Sequence, residues 1–194
     1  MRCISNFTKK AIKQTFIALL NKKPLPQITV KDIVEECGIN RNSFYYHFQD
    51  IPTLIDELIT EETDRLIVDY SPLDPLETWL TNAIHAAMDL RETIHNIYRY
   101  MDRSVFESYL WRICDKIISA YTKNELTKTS FSEKDREIIE HLFRCECFGF
   151  LIEWLNGEMT DYSDEVIARF CRIHRGMLAE SDRSCSNEKN IRSV

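Results

Sequence analysis

Only Gly38, Ile39 and Asn40 separate two runs that each carry the signals of a short helix, and no other feature of the chain limits its fold so tightly. In the first run Val30, Ile33, Val34 and Cys37 fall at i, i+3, i+4 and i+7, which places them on one helical face. Thr29 stands where an N-cap is needed, and Asp32, three residues on, completes a capping-box pattern. Gly38 supplies the left-handed residue that ends such a helix, and Asn40 can cap the next, "RNSFYYHF". Two short helices joined by a tight, glycine-containing turn make a helix-turn-helix. A preceding helix over Thr8–Asn21, with Ile12, Phe16, Leu19 and Leu20 on one stripe, packs across both and is broken by "KKPLPQ".

The rest of the chain also reads as helix. Four glycines and five prolines in 194 residues leave few of the breaks a many-stranded sheet needs. A fourth helix starts at "DIP" and runs to Val68, and "DYSPLDP" is the clearest linker. Further helices are expected over Leu76–Leu90, over Glu92–Tyr100, after a capping box "SVFE" through Tyr121, from Ser132 to Asn156, and over Ser163–Ala179, with "TKNELTKTS" as a loop. The expected fold is all-α, with about nine helices. Residues 1–50 form a helix-turn-helix domain, residues 51–180 a helical effector-binding and dimerisation domain with helix 51–69 connecting, and residues 181–194 a flexible tail.

The net charge of −6 hides an asymmetry: residues 1–50 hold eight Lys or Arg against four acids, +4, which leaves −10 for the remainder. A polyanion would meet the basic end. The N-terminus lacks the apolar stretch of a signal peptide and no segment is long and apolar enough to span a membrane, so the expected location is the cytoplasm. Seven cysteines without a C-x-x-C pair indicate reduced thiols rather than a disulfide framework or a four-cysteine zinc site. No Gly-rich phosphate loop, G-x-S-x-G elbow or H-E-x-x-H pair is present, so an enzyme is not expected and no cofactor is implied.

On the third helix Phe44 and Phe48 share a face and, with Ile39, close a small core. That leaves Arg41, Asn42, Ser43, Tyr46 and His47 outward, with Tyr45 at the border. Arg41 can reach guanine O6 and N7, Asn42 adenine N6 and N7, and a tyrosine offers a hydroxyl for phosphate and a ring for a thymine methyl. Such a surface at the N-terminal end of a short helix suits a reader of the DNA major groove, and the start of the second helix at Thr29 suits phosphate.

The stretch "ITVKDIVEECGINRNSFYYHFQDIPTLIDELI" resembles the helix-turn-helix signature of the TetR/AcrR family of bacterial transcriptional regulators, with the likeness dense over residues 8–68. The resemblance implies that Thr29 contacts phosphate, that Arg41, Asn42, Ser43 and Tyr45 approach bases beside the capping Asn40, and that Tyr46 and His47 hold the backbone. It further implies a homodimer on a near-palindromic operator, acting as a repressor that a small-molecule effector releases. The alternative is a regulator-like protein-binding module or a coactivator-dependent activator. One position departs from the family pattern: Ile51 stands where a phosphate-directed lysine is usual, which should flatten the salt dependence of binding by about one unit of slope.

In the body, "CFGFLIEWL" is apolar nearly all round and must be covered on two sides. The expected twofold interface uses Phe148, Leu151, Ile152 and Leu155 with Val166, Phe170, Ile173 and Met177 of the last helix. By resemblance the middle helices enclose an effector pocket, for which Trp79, His85, Met88, His95, Tyr98, Phe106, Tyr109 and Trp111 are the candidates. His141, Cys145 and Cys147 suggest a metal only weakly, because Cys145 and Cys147 point to different helix faces.

Overall fold

The computed structural model describes residues 2–68, 76–160 and 164–192, and these are helical, joined by turns. The helices are α1 (Arg2–Leu20), α2 (Val30–Cys37), α3 (Arg41–His47), α4 (Ile51–Val68), α5 (Leu76–Asp89), α6 (Arg91–Tyr100), α7 (Arg103–Glu125), α8 (Glu133–Asn156) and α9 (Asp164–Arg192). Short 3-10 turns occupy Leu25–Gln27 and Leu126–Lys128. The linker expected at residues 69–75 and the expected start at Ser163 lie outside the described residues.

The chain divides into two compact units. One runs through Asp64 and takes in Leu90–Tyr109; the other comprises Arg65–Asp89 and everything from Leu110 on. The sequence reading placed a boundary at residue 50 and did not foresee that α6 belongs with the first three helices. The cause is a polar pin. Asn96 of α6 donates from Nδ2 to the carbonyls of Leu20 (2.6 Å) and Lys23 (2.8 Å) and accepts from the amide of Leu25 at 2.8 Å. Those are the backbone groups that the end of α1 and the proline break leave unpaired, and burying them without a partner would cost about 1–3 kcal/mol each. Thr93 adds a bond to Asn21 at 2.9 Å.

The core of this unit is built from Ile12, Phe16, Ile33, Phe44, Phe48, Leu54 and Ile55, all almost wholly buried. Burial of each such side chain contributes about 1.5–3 kcal/mol. Ile39 is only half-buried and is a lesser part of the plug.

Several helix ends differ from expectation. For α7 the cap is Asp102, whose Oδ1 accepts from the amides of Ser104 (2.9 Å) and Val105 (3.2 Å), so the helix starts a residue before Ser104 and Glu107 pairs instead with Arg103. α7 also runs on to Glu125 where a loop was expected from Thr122, because Thr122 and Leu126 are buried. At the C-terminus α9 continues to Arg192 in place of a tail from residue 181. Nothing after Gly176 breaks a helix, and Asp182 is held by Ser130, whose amide donates at 2.7 Å and whose hydroxyl donates at 2.6 Å.

Candidate nucleic-acid interface

Every backbone device of the helix-turn-helix is in place. Thr29 is extended, its hydroxyl accepts from the Asp32 amide at 3.2 Å, and the Asp32 carboxylate accepts from the Thr29 amide at 2.7 Å. Hydrogen bonds from Thr29 and the Lys23 ammonium hold the Asp32 carboxyl far below the usual carboxylate range. Gly38 has φ 69°, the left-handed conformation that a side chain rarely adopts, and its amide closes the last turn of α2. Asn40 Oδ1 accepts from the Ser43 amide at 2.8 Å and starts α3.

α3 then separates its two faces. Phe44 is fully buried and Phe48 nearly so, with ring centroids 5.8 Å apart, while Tyr45 and Tyr46 are 54% and 77% exposed. Both phenol rings are largely open to solvent, the Tyr45 ring meeting that of Phe44 edge-on at 5.5 Å. Arg41 and Asn42 are exposed beside them at the first turn, and Ser43 is half-buried. His47 is half-buried with its ring 5.0 Å from that of Tyr46; burial and then the Lys9 charge lower its pKa, so its imidazole is neutral near pH 7.

Thr29 is exposed, but its amide and hydroxyl are already engaged by Asp32. A phosphate at the start of α2 must therefore share that end with a carboxylate.

Two supporting elements went unnoticed in the sequence. Asp50 caps α4 by accepting from the Thr53 amide at 2.8 Å, a signal present in "DIPT". Lys13, almost buried on α1, donates to Glu57 at 2.7 Å and pairs with Glu61, both on α4, while Lys9 pairs with Glu57 and lies 5.7 Å over the Phe48 ring. Ile51, at the position of the usual lysine, is half-buried.

The second unit holds a cavity of about 160 Å³. α5 gives it Trp79, Leu80 and Ile84, α7 Ile117 and Tyr121, α8 Phe143, Glu146, Cys147 and Phe150, and α9 Val166, Ile167, Phe170 and His174. Burial lowers the pKa of His174, against the pull of Glu146. Of the residues expected in a pocket, Trp79 is in this wall, its indole N–H donating to the Leu66 carbonyl at 2.9 Å. The others are elsewhere. His85 is exposed 4.0 Å from Asp164, Met88 is half-buried, and Trp111 is partly exposed with its ring 5.4 Å from Phe148. His95, Tyr98, Phe106 and Tyr109 lie in the first unit, where the Tyr98 and Phe106 rings meet edge-on at 4.9 Å.

Val166, Phe170, Ile173 and Met177 form a solvent-facing apolar stripe on α9 at i, i+4, i+7 and i+11. On α8 the exposed apolar residues are Ile138 and Leu142 rather than those expected. Leu155 is buried in its own protomer, and Phe148, Leu151 and Ile152 are half-buried; after α8 the chain turns back, the Trp154 indole donating to the Thr160 carbonyl at 2.9 Å, and Met159 is buried. His141 Nε2 lies 3.8 Å from Cys145 Sγ, and Cys147 turns to another side. Among the described residues no group of three or more His, Cys, Asp or Glu could hold a metal, and no helix is long and apolar enough to cross a membrane.

A family model described as bacterial regulatory proteins of the tetR family matches residues 17–58, and one described as a transcriptional regulator C-terminal region of the same group matches residues 74–176, more than half of the chain. The chain belongs to the TetR family of transcriptional regulators. This TetR-family regulator shares its fold with the dihydroxyacetone kinase operon activator DhaS (TM-score 0.70, 18% identity, 86% of this chain and 95% of that one). It is also similar to Salmonella enterica GusR (TM-score 0.59, 19% identity, 91% and 95%). A third similar structure is Pseudomonas aeruginosa NalD, a secondary repressor of the MexAB-OprM multidrug efflux pump (TM-score 0.51, 16% identity, 86% and 92%). No curated protein matches the sequence.

Proposed function

We propose that this TetR-family regulator binds a near-palindromic operator as a homodimer, represses by occupying it, and is released by a small apolar effector. The observation that carries the reading is the opposite placement of neighbours on one short helix, Phe44 and Phe48 sealed in the core and Tyr45 and Tyr46 bare beside Arg41 and Asn42. In the major groove Arg41, Asn42 and Tyr45 address base edges, while Tyr46 and the neutral imidazole of His47 donate to phosphate.

The α9 stripe, with Ile138 and Leu142 of α8, supports a twofold interface of four helices. Two α3 helices held about one DNA turn apart then read both half-sites. The cavity supports an effector no larger than a small ring compound, since dry apolar cavities of about 150 Å³ admit benzene. Val166 and Phe170 belong both to its wall and to the outward stripe, so filling the cavity bears directly on the dimer contact.

Selection of genomic DNA by the purified protein tests this reading. A recovered site with two related half-sites supports it; sequence-independent recovery counts against it. The name of DhaS, an operon activator, favours a second reading in which the bound dimer recruits a partner protein, and a reporter whose output falls on deletion of the regulator would select that one.

A further inference from the structure

The outward face of α8 carries Ile138, His141, Leu142, Cys145 and Gly149 at i, i+3, i+4, i+7 and i+11, all exposed. The other sides of the helix are taken: Ser119 of α7 donates to Glu140 at 2.8 Å, Arg144 pairs with Asp115 of α7, and the Phe143 ring lies 4.3 Å from that of His174 on α9. His141 and Cys145, one turn apart, hold Nε2 and Sγ 3.8 Å from each other. We propose that this pair is half of a zinc site, completed by the same two side chains of a second protomer across a twofold axis, and that the metal fastens the dimer.

The geometry fits the metal. Zinc takes sulfur at about 2.3 Å and imidazole nitrogen at about 2.0–2.1 Å, and at a tetrahedral angle those lengths put the two donors about 3.6 Å apart. The observed 3.8 Å needs only a small closure, and one turn of helix, rather than a loop, sets the spacing. One protomer supplies two ligands, and among the described residues no third His, Cys, Asp or Glu joins them. Structural zinc takes four, so two chains are needed. A set of two thiolates and two imidazoles suits zinc and not the oxygen-seeking magnesium or calcium.

The site rests on the twofold interface proposed above, in which Ile138 and Leu142 lose their solvent. His141 and Cys145 stand among them and lose it too, and a polar group so covered costs free energy unless it finds a partner. The contact of Phe143 with His174 sets this stretch of α8 level with Ile173 in the α9 stripe. An isologous interface repeats each contact about its axis, so a pair beside the axis meets its own copy. Each thiol gives up its proton to solvent as the metal binds, two per zinc. Two thiolates and two neutral imidazoles around Zn2+ then carry no net charge, and the assembled site can lie between apolar side chains. Gly149, one turn further on, leaves open space where a side chain would stand, which lets a facing helix approach.

Full-length protein, reduced and freed of metal with a chelator, is titrated with zinc chloride in the ultracentrifuge and with cobalt(II) in the spectrophotometer. The expected result is one zinc per two chains, with the dimer dissociation constant lowered about a hundredfold when free zinc stands a hundred times above its own dissociation constant. Cobalt should give a thiolate charge-transfer band and the strong visible bands of a tetrahedral site. His141→Ala and Cys145→Ser should each abolish the charge-transfer band and the effect of zinc on the dimer, while Cys185→Ser keeps both. One metal per chain, metal bound without a change in association, or a band that survives Cys145→Ser would overturn the proposal. A dimer that takes up no metal defeats the site alone; a chain that stays a monomer in saturating zinc defeats the twofold interface with it.

Discussion

The Lys13 ammonium of α1 sits 2.7 Å from the Glu57 carboxylate of α4 and also meets Glu61, joining the first and fourth helices of the DNA-reading unit across their buried side. For Lys13 burial opposes the charge, and the two carboxylates outweigh it, so its pKa is raised; for Glu57 the bonds from Lys13 and Lys9 outweigh burial, and its pKa is lowered. A carboxyl lowered in the folded state contributes stability that is fully present above its ordinary 4.5 and is lost as pH falls through the folded value. Urea denaturation followed by circular dichroism should therefore show the wild type losing stability below about pH 4.5 more steeply than Glu57→Gln. Parallel slopes for the two proteins would refute the assignment.

Asn40→Ala removes the bond that starts α3. A lost N-cap costs about 0.5–2 kcal/mol, and the loss falls on the helix whose residues are proposed to read bases. Operator affinity should drop while Asn40→Asp, which keeps the acceptor, retains the helix; thermal melts and mobility shifts of both variants provide the comparison.

Tyr46→Ala and Arg41→Ala should fail differently. Tyr46 is expected on phosphate, so its loss weakens all sites together; Arg41 is expected on a base, so its loss relaxes one position by about 1–3 kcal/mol. Competition binding across single-base variants of the operator separates them, and a uniform loss for Arg41→Ala would remove it from the groove floor.

Phe44→Ala should cost about 3–5 kcal/mol of stability, because the ring is fully buried at the centre of the small core. Tyr45→Ala, one residue on, should change stability by less than about 0.5 kcal/mol. Equal losses would mean that α3 does not divide into an inner and an outer face.

Ile173→Glu places a charge in the middle of the α9 stripe, and sedimentation should then show a 23.0 kDa species where the wild type is expected to sediment as the proposed dimer. The variant should also bind a single half-site no more weakly than the wild-type protomer does. A dimer that survives the substitution would put the interface on another surface.

The DNA-reading helices were legible because each of their ends is fixed by a residue with one special property: a hydroxyl at Thr29, freedom of φ at Gly38, a short amide at Asn40. Local chemistry of that kind shows in the sequence. The cavity was not legible, since Ile117, Phe143 and His174 come from three helices whose rotations about their axes are set by packing, and an apolar stripe looks the same whether it faces a void, a neighbour or another protomer. Leu155 illustrates the difficulty, being apolar at an interface-like spacing yet buried within its own chain. The place of α6 was hidden in the same way, for nothing about an isolated asparagine announces that it will complete a broken backbone seventy-odd residues upstream.

Because Asn96 supplies the missing partners for Leu20, Lys23 and Leu25, the portion that reads DNA is not contiguous along the polypeptide. A chimera made by grafting the first sixty-odd residues onto a cousin's body would leave those amide and carbonyl groups stranded unless the recipient offered an equivalent amide. Where the recipient lacks such an amide, an exchange of specificity has to carry two separate stretches of gene at once.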